Sequence, residues 1–149
     1  MSKMNKTKNQ FIKSLVDSNN QIDREKDWIK FNYNYFKCGD GSGESFKEWE
    51  IEGKLADLND KLKCYSGKSK IELINDGTLE IYSSYPLDSK FVFPKDIYGK
   101  NISWARLRIT GRERLIGFFR SDCDVEANVL FIVFLDKDHQ FAPSKKKHT

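Results

Sequence analysis

Residues 103–141 read SWARLRITGRERLIGFFRSDCDVEANVLFIVFLDKDHQF, and this stretch decides the fold. A strand repeats every two residues, so Trp104, Arg106 and Arg108 share one face while Ala105, Leu107 and Ile109 share the other. Thr110-Gly111 is a turn signal. After it, Arg112, Arg114 and Ile116 are expected to point one way, and Glu113, Leu115 and Gly117 the other. A polar loop follows, then the continuous apolar run 129–135, which reads as a buried strand closing on Asp136, Lys137, Asp138 and His139. Two adjacent antiparallel strands would hold Arg106, Arg108, Arg112 and Arg114 close together. Such density of like charge is most simply tolerated where an anion binds, and the guanidinium fork fits phosphate oxygens. The competing reading is a solvated arginine face whose stems cover apolar surface. His139 favours the first, because an imidazole gives or takes a proton near neutrality where lysine and arginine do not.

Working outward, composition bounds the class. The chain has 149 residues, 32% of them charged and 13% aromatic, which suits one globular domain with a well-supplied core. The formal net charge of +4 is compatible with RNA or an acidic protein as partner and requires neither. Lysines concentrate in residues 1–13 and at Lys145, Lys146 and Lys147. Cys38, Cys64 and Cys123 stand far apart in no metal-ligand spacing, as expected of free thiols in the cytoplasm. No stretch is apolar and long enough to span a membrane, and the first residues lack the apolar core of a signal peptide.

The expected organisation is a polar extension over 1–27, an α+β domain over 28–142 and a basic tail over 143–149. Phe11, Ile12, Leu15 and Val16 have the spacing of a short helix. Ile29, Phe31, Tyr33 and Tyr35 alternate with polar residues, predicting a strand. The cluster Gly39, Gly41 and Gly43 predicts a flexible connector, since no Gly-Lys-Ser/Thr follows it. Ser45 and Glu48 form a capping box before a stripe of Ile51, Leu55, Leu58, Leu62 and Tyr65, which predicts one helix stopped by Gly67. Ser69 caps a second, shorter helix ending near Gly77, and residues 79–82 form a short strand. Pro86 and Pro94 bracket an ordered, aromatic-rich loop. The order predicts a small, mostly antiparallel sheet with helices packed on one face.

Trp104-x-Arg106, Ile109, Arg114-Leu115-Ile116, a loop, an apolar strand, and His139 with Phe141 resemble the C-terminal half of RelE/YoeB-type toxins, the RNA-cleaving members of bacterial toxin–antitoxin pairs. Pro86-Leu87 is similar to a Pro-Leu step that precedes the tryptophan in that family. The chain departs from the family in its longer N-terminal region, in its 83–103 loop, and in placing Phe141 two positions after His139 where a tyrosine follows directly. The resemblance implies a RelE/ParE-like fold and metal-free cleavage of mRNA, associated with the ribosome, by attack of the 2′-hydroxyl on phosphorus. It implies Arg114 as the stabiliser of developing charge, Arg106 or Arg108 as phosphate positioners, and His139 as general acid for the leaving oxygen. Arg112, Lys137 and Phe141 are expected to bind substrate, Phe141 and Trp104 having either stacking or core roles open to them. Asp88, Asp96 and Glu113 are equal candidates for general base. No cofactor is implied, and Asp136, Asp138 and His139 lie too close in sequence to converge readily on a metal. The partner implied is an antitoxin with an acidic segment. Two alternatives stay open: a ParE-like toxin directed at gyrase, and a non-catalytic nucleic-acid or protein binding module.

Overall fold

The computed structural model describes residues 7–14, 25–98 and 101–143. The polar start of the chain, Leu15 and Val16, most of the 17–27 stretch and the tail lysines lie outside these residues. Residues 7–14 form helix α1, with Phe11 and Ile12 exposed. The remainder is α+β. Strand β1 (Lys30–Asn32) is followed by helices α2 (Phe46–Ile51), α3 (Leu55–Tyr65) and α4 (Lys70–Asn75). Strands β2 (Leu79–Ile81), β3 (Ile102–Thr110), β4 (Glu113–Arg120) and β5 (Val129–Asp136) complete it. They form a five-stranded sheet in the order β1-β5-β4-β3-β2, antiparallel except for the β1–β5 pair. No helix among the described residues is long and apolar enough to cross a membrane.

The alternation read in residues 104–109 sets the two faces of the sheet. Ala105, Leu107 and Ile109 join Leu115, Leu130, Ile132 and Leu135 beneath Trp49, Leu58, Leu62, Tyr65 and Leu73 of the helices. Trp104 points the other way, joining Phe118, Phe131 and Phe134 under Phe91, Ile97 and Phe141, which the loops supply. Burial of these two apolar layers is the main stabilising term.

One helix and one strand differ in detail from expectation. The stripe through Ile51 and Tyr65 is broken in two by Gly53, which takes a φ of +73° that side-chain-bearing residues rarely adopt. The Gly53 N–H donates to the Glu50 carbonyl and the Lys54 N–H to the Trp49 carbonyl at 2.7 Å, a Schellman ending for α2. Ile51 is therefore 75% exposed, and Trp49 is the fully buried residue of that turn. The capping box at Ser45 and Glu48 is present, and Ser69 caps α4. The strand expected through Tyr35 ends at Asn32, whose Oδ1 accepts from the Asn34 N–H at 2.8 Å and turns the chain. Tyr35 consequently packs on Phe118 and Phe131, on the face away from the helices.

One irregularity positions the site. Ile116 lies opposite Phe134 but Gly117 lies opposite Ile132, so Val133 is an extra residue in β5. Val133 and Phe134 both turn to the aromatic side, and Asp136 falls opposite Arg114. Without the bulge, Asp136 would face the helices, because a one-residue slip inverts every side chain. Gly117 makes the close approach feasible: a Cβ there would lie 2.2 Å from the Phe131 carbonyl oxygen.

Candidate functional site

Arg108, Arg114 and Asp136 lie opposite one another across β3, β4 and β5, forming one row on the sheet face away from the helices. Arg106 stands in the next row, opposite Glu80 of β2, and its Nη2 donates to Glu80 at 2.5 Å. Arg114 Nη1 donates to the carbonyls of Gly111 at 2.7 Å and Glu113 at 2.9 Å, and its other N–H groups have no protein acceptor among the described residues. The Arg108 side chain makes no hydrogen bond or ion pair among the described residues and is exposed. Burial, followed by repulsion from Arg106 and Arg108, pushes the Arg114 guanidinium below its ordinary pKa. Three guanidiniums face the two carboxylates Glu80 and Asp136, and an anion would balance the excess.

The turn after β5 carries the histidine. Asp136 is only 1% exposed, and its two carboxylate oxygens accept from the Gln140 N–H at 2.8 Å and the Phe141 N–H at 2.9 Å. This carboxylate ties the 137–141 turn into one shape, within which His139 takes a φ of +57°. Histidine is among the residues that tolerate the left-handed region when local bonds hold them there. Burial lowers the His139 pKa first; Arg114, Arg106 and Arg112 lower it further, and Asp136 opposes them. The imidazole is thus half-buried, within the field of the arginines, and neutral at physiological pH.

The expected site residues separate into two groups. Arg106, Arg108, Arg114 and His139 come together. Arg112 sits in the hairpin turn rather than on the strand, because the turn is Gly111-Arg112 and not Thr110-Gly111. It lines a charged groove of about 430 Å³ with Glu52, Lys54, Glu113, Lys137 and Asp138, and its charge still reaches His139. Lys137 turns away from the cluster, pairing with Glu52 at 2.9 Å, which raises its pKa. Phe141 is 0% exposed, wedged among Tyr82, Tyr85, Trp104 and Phe134, so no ring face is left to stack on a base. Trp104 is likewise core. The correction for Phe141 follows from the loops that close over the aromatic face.

None of the three expected bases faces the cluster. Glu113 is bound to Lys54 on the helix side. Asp96 pairs with Lys37 at 2.6 Å, near the Arg120 end of the sheet. Asp88 is exposed in the loop. Sequence reading missed Tyr82 and Glu80, although period two from Leu79 and Ile81 already sends both to the arginine face. The Tyr82 hydroxyl oxygen is buried and unpartnered, with Arg106, Glu80, Asp136 and Arg114 acting on it. Arg120, at the far end of the same face, is fully engaged by Glu126 at 2.9 Å and by the Tyr35 hydroxyl at 2.7 Å, and it packs over the Phe131 ring. Among the described residues, no group of three His, Cys, Asp or Glu side chains could hold a metal ion. Compared with protein-family models, with curated proteins and with solved structures, the chain finds no match.

Proposed function

We propose that the protein is a toxin-like endoribonuclease with a RelE/ParE-like fold, cutting mRNA on the ribosome without a metal, and that the arginine–histidine face is its active site. The observation that carries this reading is an excess of guanidinium charge, Arg106, Arg108 and Arg114, gathered beside a half-buried His139 whose pKa burial lowers first and Arg114 and Arg106 lower further. The resemblance of the 104–141 stretch to RelE/YoeB-type toxins supports it.

In this mechanism Arg108 and Arg106 hold the phosphodiester and Arg114 meets the charge that develops on phosphorus. Neutral His139 takes the proton of the 2′-hydroxyl as the 2′-oxygen–phosphorus bond forms. It returns that proton to the 5′-oxygen as the phosphorus–5′-oxygen bond breaks, leaving a cyclic phosphate and a 5′-hydroxyl. One histidine thus fills the acid role expected of it and the base role that Asp88, Asp96 and Glu113 are not placed to fill. An antitoxin with an acidic segment would cover the same arginines.

The test is induced expression in a bacterium of the wild type, Arg114→Ala and His139→Ala, scoring growth together with transcript cleavage. The expected result is arrest with cut mRNA in the wild type, and a loss of cleavage on the order of a hundredfold or more in Arg114→Ala. Soluble wild type that neither arrests growth nor cuts RNA refutes the proposal. Both carboxylates of the cluster are engaged, Asp136 by the Gln140 and Phe141 N–H groups and Glu80 by Arg106, and this favours a second reading: a non-catalytic nucleic-acid binding face. Steeply salt-dependent binding without cleavage would identify it.

A further inference from the structure

Among the described residues, Tyr33 and Tyr98 are exposed, and three of the other four phenols have hydrogen-bond partners. Tyr65 donates to the Arg108 carbonyl at 2.6 Å, Tyr85 donates to the Phe91 carbonyl at 2.8 Å, and Tyr35 accepts from Arg120 at 2.7 Å. The Tyr82 hydroxyl is buried with no partner among the described residues. A buried hydroxyl without a hydrogen bond is a net cost, and native structures carry few of them.

The Tyr82 ring is not free to swing to a better place. Its backbone N–H donates to the Trp104 carbonyl at 2.8 Å, continuing the β2–β3 ladder, and its ring packs edge-on against Phe141 with centroids 5.5 Å apart. Neither carboxylate of this face accepts from the Tyr82 hydroxyl. Glu80 receives Arg106, and both Asp136 oxygens receive the Gln140 and Phe141 N–H groups. Tyr82 leaves β2 on the face that Glu80 and Arg106 share, beside the arginine rows. An acceptor for this hydroxyl is what the site lacks, and an anion lodged between the arginines would supply one.

We propose that Tyr82 is an anion-binding residue of this site, its hydroxyl donating a hydrogen bond to the phosphate oxygen that Arg108 and Arg114 hold. The inference rests on the reading of the arginine face as a phosphate site and adds a ligand-contacting group to it. Burial pushes the Tyr82 pKa up to about 12. The group therefore stays a protonated donor throughout the physiological range and is unsuited to act as a base. The shared chemistry is a phosphate oxygen, whose source is either an RNA phosphodiester or free inorganic phosphate.

The experiment compares wild type, Tyr82→Phe and Arg108→Ala. Binding is measured by calorimetry with inorganic phosphate and with a 2′-O-methyl RNA oligonucleotide, which cannot be cut by its own 2′-oxygen. Thermal unfolding is recorded for each ligand-free protein. Tyr82→Phe removes an oxygen that bonds to nothing in the empty site, so its ligand-free Tm is expected to equal or exceed that of the wild type. Its affinity is expected to fall about tenfold, the equivalent of one hydrogen bond to a charged group. Weakening with both probes, or with the oligonucleotide alone, supports the proposal, the latter assigning the contact to a phosphodiester. Weakening with inorganic phosphate alone supports the donor role and refutes RNA as the ligand. If Tyr82→Phe binds both probes like the wild type while Arg108→Ala does not, the inference falls and the phosphate site stands. If the wild type binds neither probe, both fall.

Discussion

Replacing Gly117 with alanine puts one methyl group where β5 leaves no room, and the cost can be worked from the contacts. The new Cβ would lie 2.2 Å from the Phe131 carbonyl oxygen and 2.9 Å from Leu130 Cδ1, where ordinary contact begins at 3.4 Å. Relief requires β4 and β5 to separate by roughly 1 Å at the bulge, in a core that is close-packed. Neither strand can drift, since β4 is paired to β3 on its other side and β5 to β1. Overpacking of this kind costs about 1–3 kcal/mol. One or two ladder hydrogen bonds lost on separation add about 1 kcal/mol each. The sum is about 2–5 kcal/mol, a large fraction of the 5–15 kcal/mol that typically stabilises a domain and equivalent to roughly 10 °C in Tm. Urea denaturation of Gly117→Ala beside Gly67→Ala gives the measurement, because a Cβ at Gly67 meets nothing within 4 Å. Gly67→Ala is expected to be neutral or stabilising by a few tenths of a kcal/mol. If the two variants unfold within about 0.5 kcal/mol of each other, the close approach at Gly117 does not constrain the sheet as argued.

Asp136→Asn keeps one acceptor for the 137–141 turn and replaces the other with a donor facing an N–H, so a loss of about 2 kcal/mol is expected on thermal unfolding. It also removes the charge that opposes the arginines at His139, so the His139 resonance in an NMR titration should move to a lower pKa; a rise would contradict the geometry. Stability should itself depend on pH through His139. The unfolded chain takes up that proton near pH 6.5, before the folded chain does, so the stabilisation is complete above about 6.5 and declines as pH falls through the lowered folded value. His139→Gln should abolish this slope, and an unchanged slope would refute the assignment. Asp76, Asp96 and Glu113, whose pKa values are also lowered, lose their contribution only in the more acidic window below about 4.5.

Local chemistry made much of this fold readable. The alternation of residues 104–109 assigns the faces of β3, the Ser45–Glu48 box and the Ser69 cap place two helix starts, and the run 129–135 is the buried central strand. The failures share a cause, which is that the deciding partner is remote in sequence. The stripe from Ile51 to Tyr65 keeps its helical spacing across Gly53, so nothing in the pattern announces the break. Val133 and Phe134 are both apolar, so the bulge that turns Asp136 towards Arg114 leaves no trace in hydrophobicity. Lys137 reads as a free cation until Glu52 is brought beside it, and the choice between a stacking and a core role for Phe141 is made only when the 82–97 loop closes over it. The parallel pairing of β1 with β5 is equally silent, because a strand of three residues carries no signal of its partner. Within the site, the arginines were legible because they lie on one hairpin, whereas Tyr82 belongs to a different strand and is recognised only by what its hydroxyl lacks.

The pairing of Lys30 with Val129 also sets an order of assembly. The β3–β4 hairpin closes over a two-residue turn and needs no distant segment, so Arg106, Arg108 and Arg114 can be gathered early. Strand β5 returns antiparallel to β4 across residues 121–128, whereas pairing it with β1, at the other end of the domain, closes a far longer loop and is the slow, entropically costly step. Asp136 and His139 ride on the end of that strand. The arginines, Asp136 and His139 thus all belong to one local meander over residues 102–141, and the face they form can assemble before β1 closes the sheet.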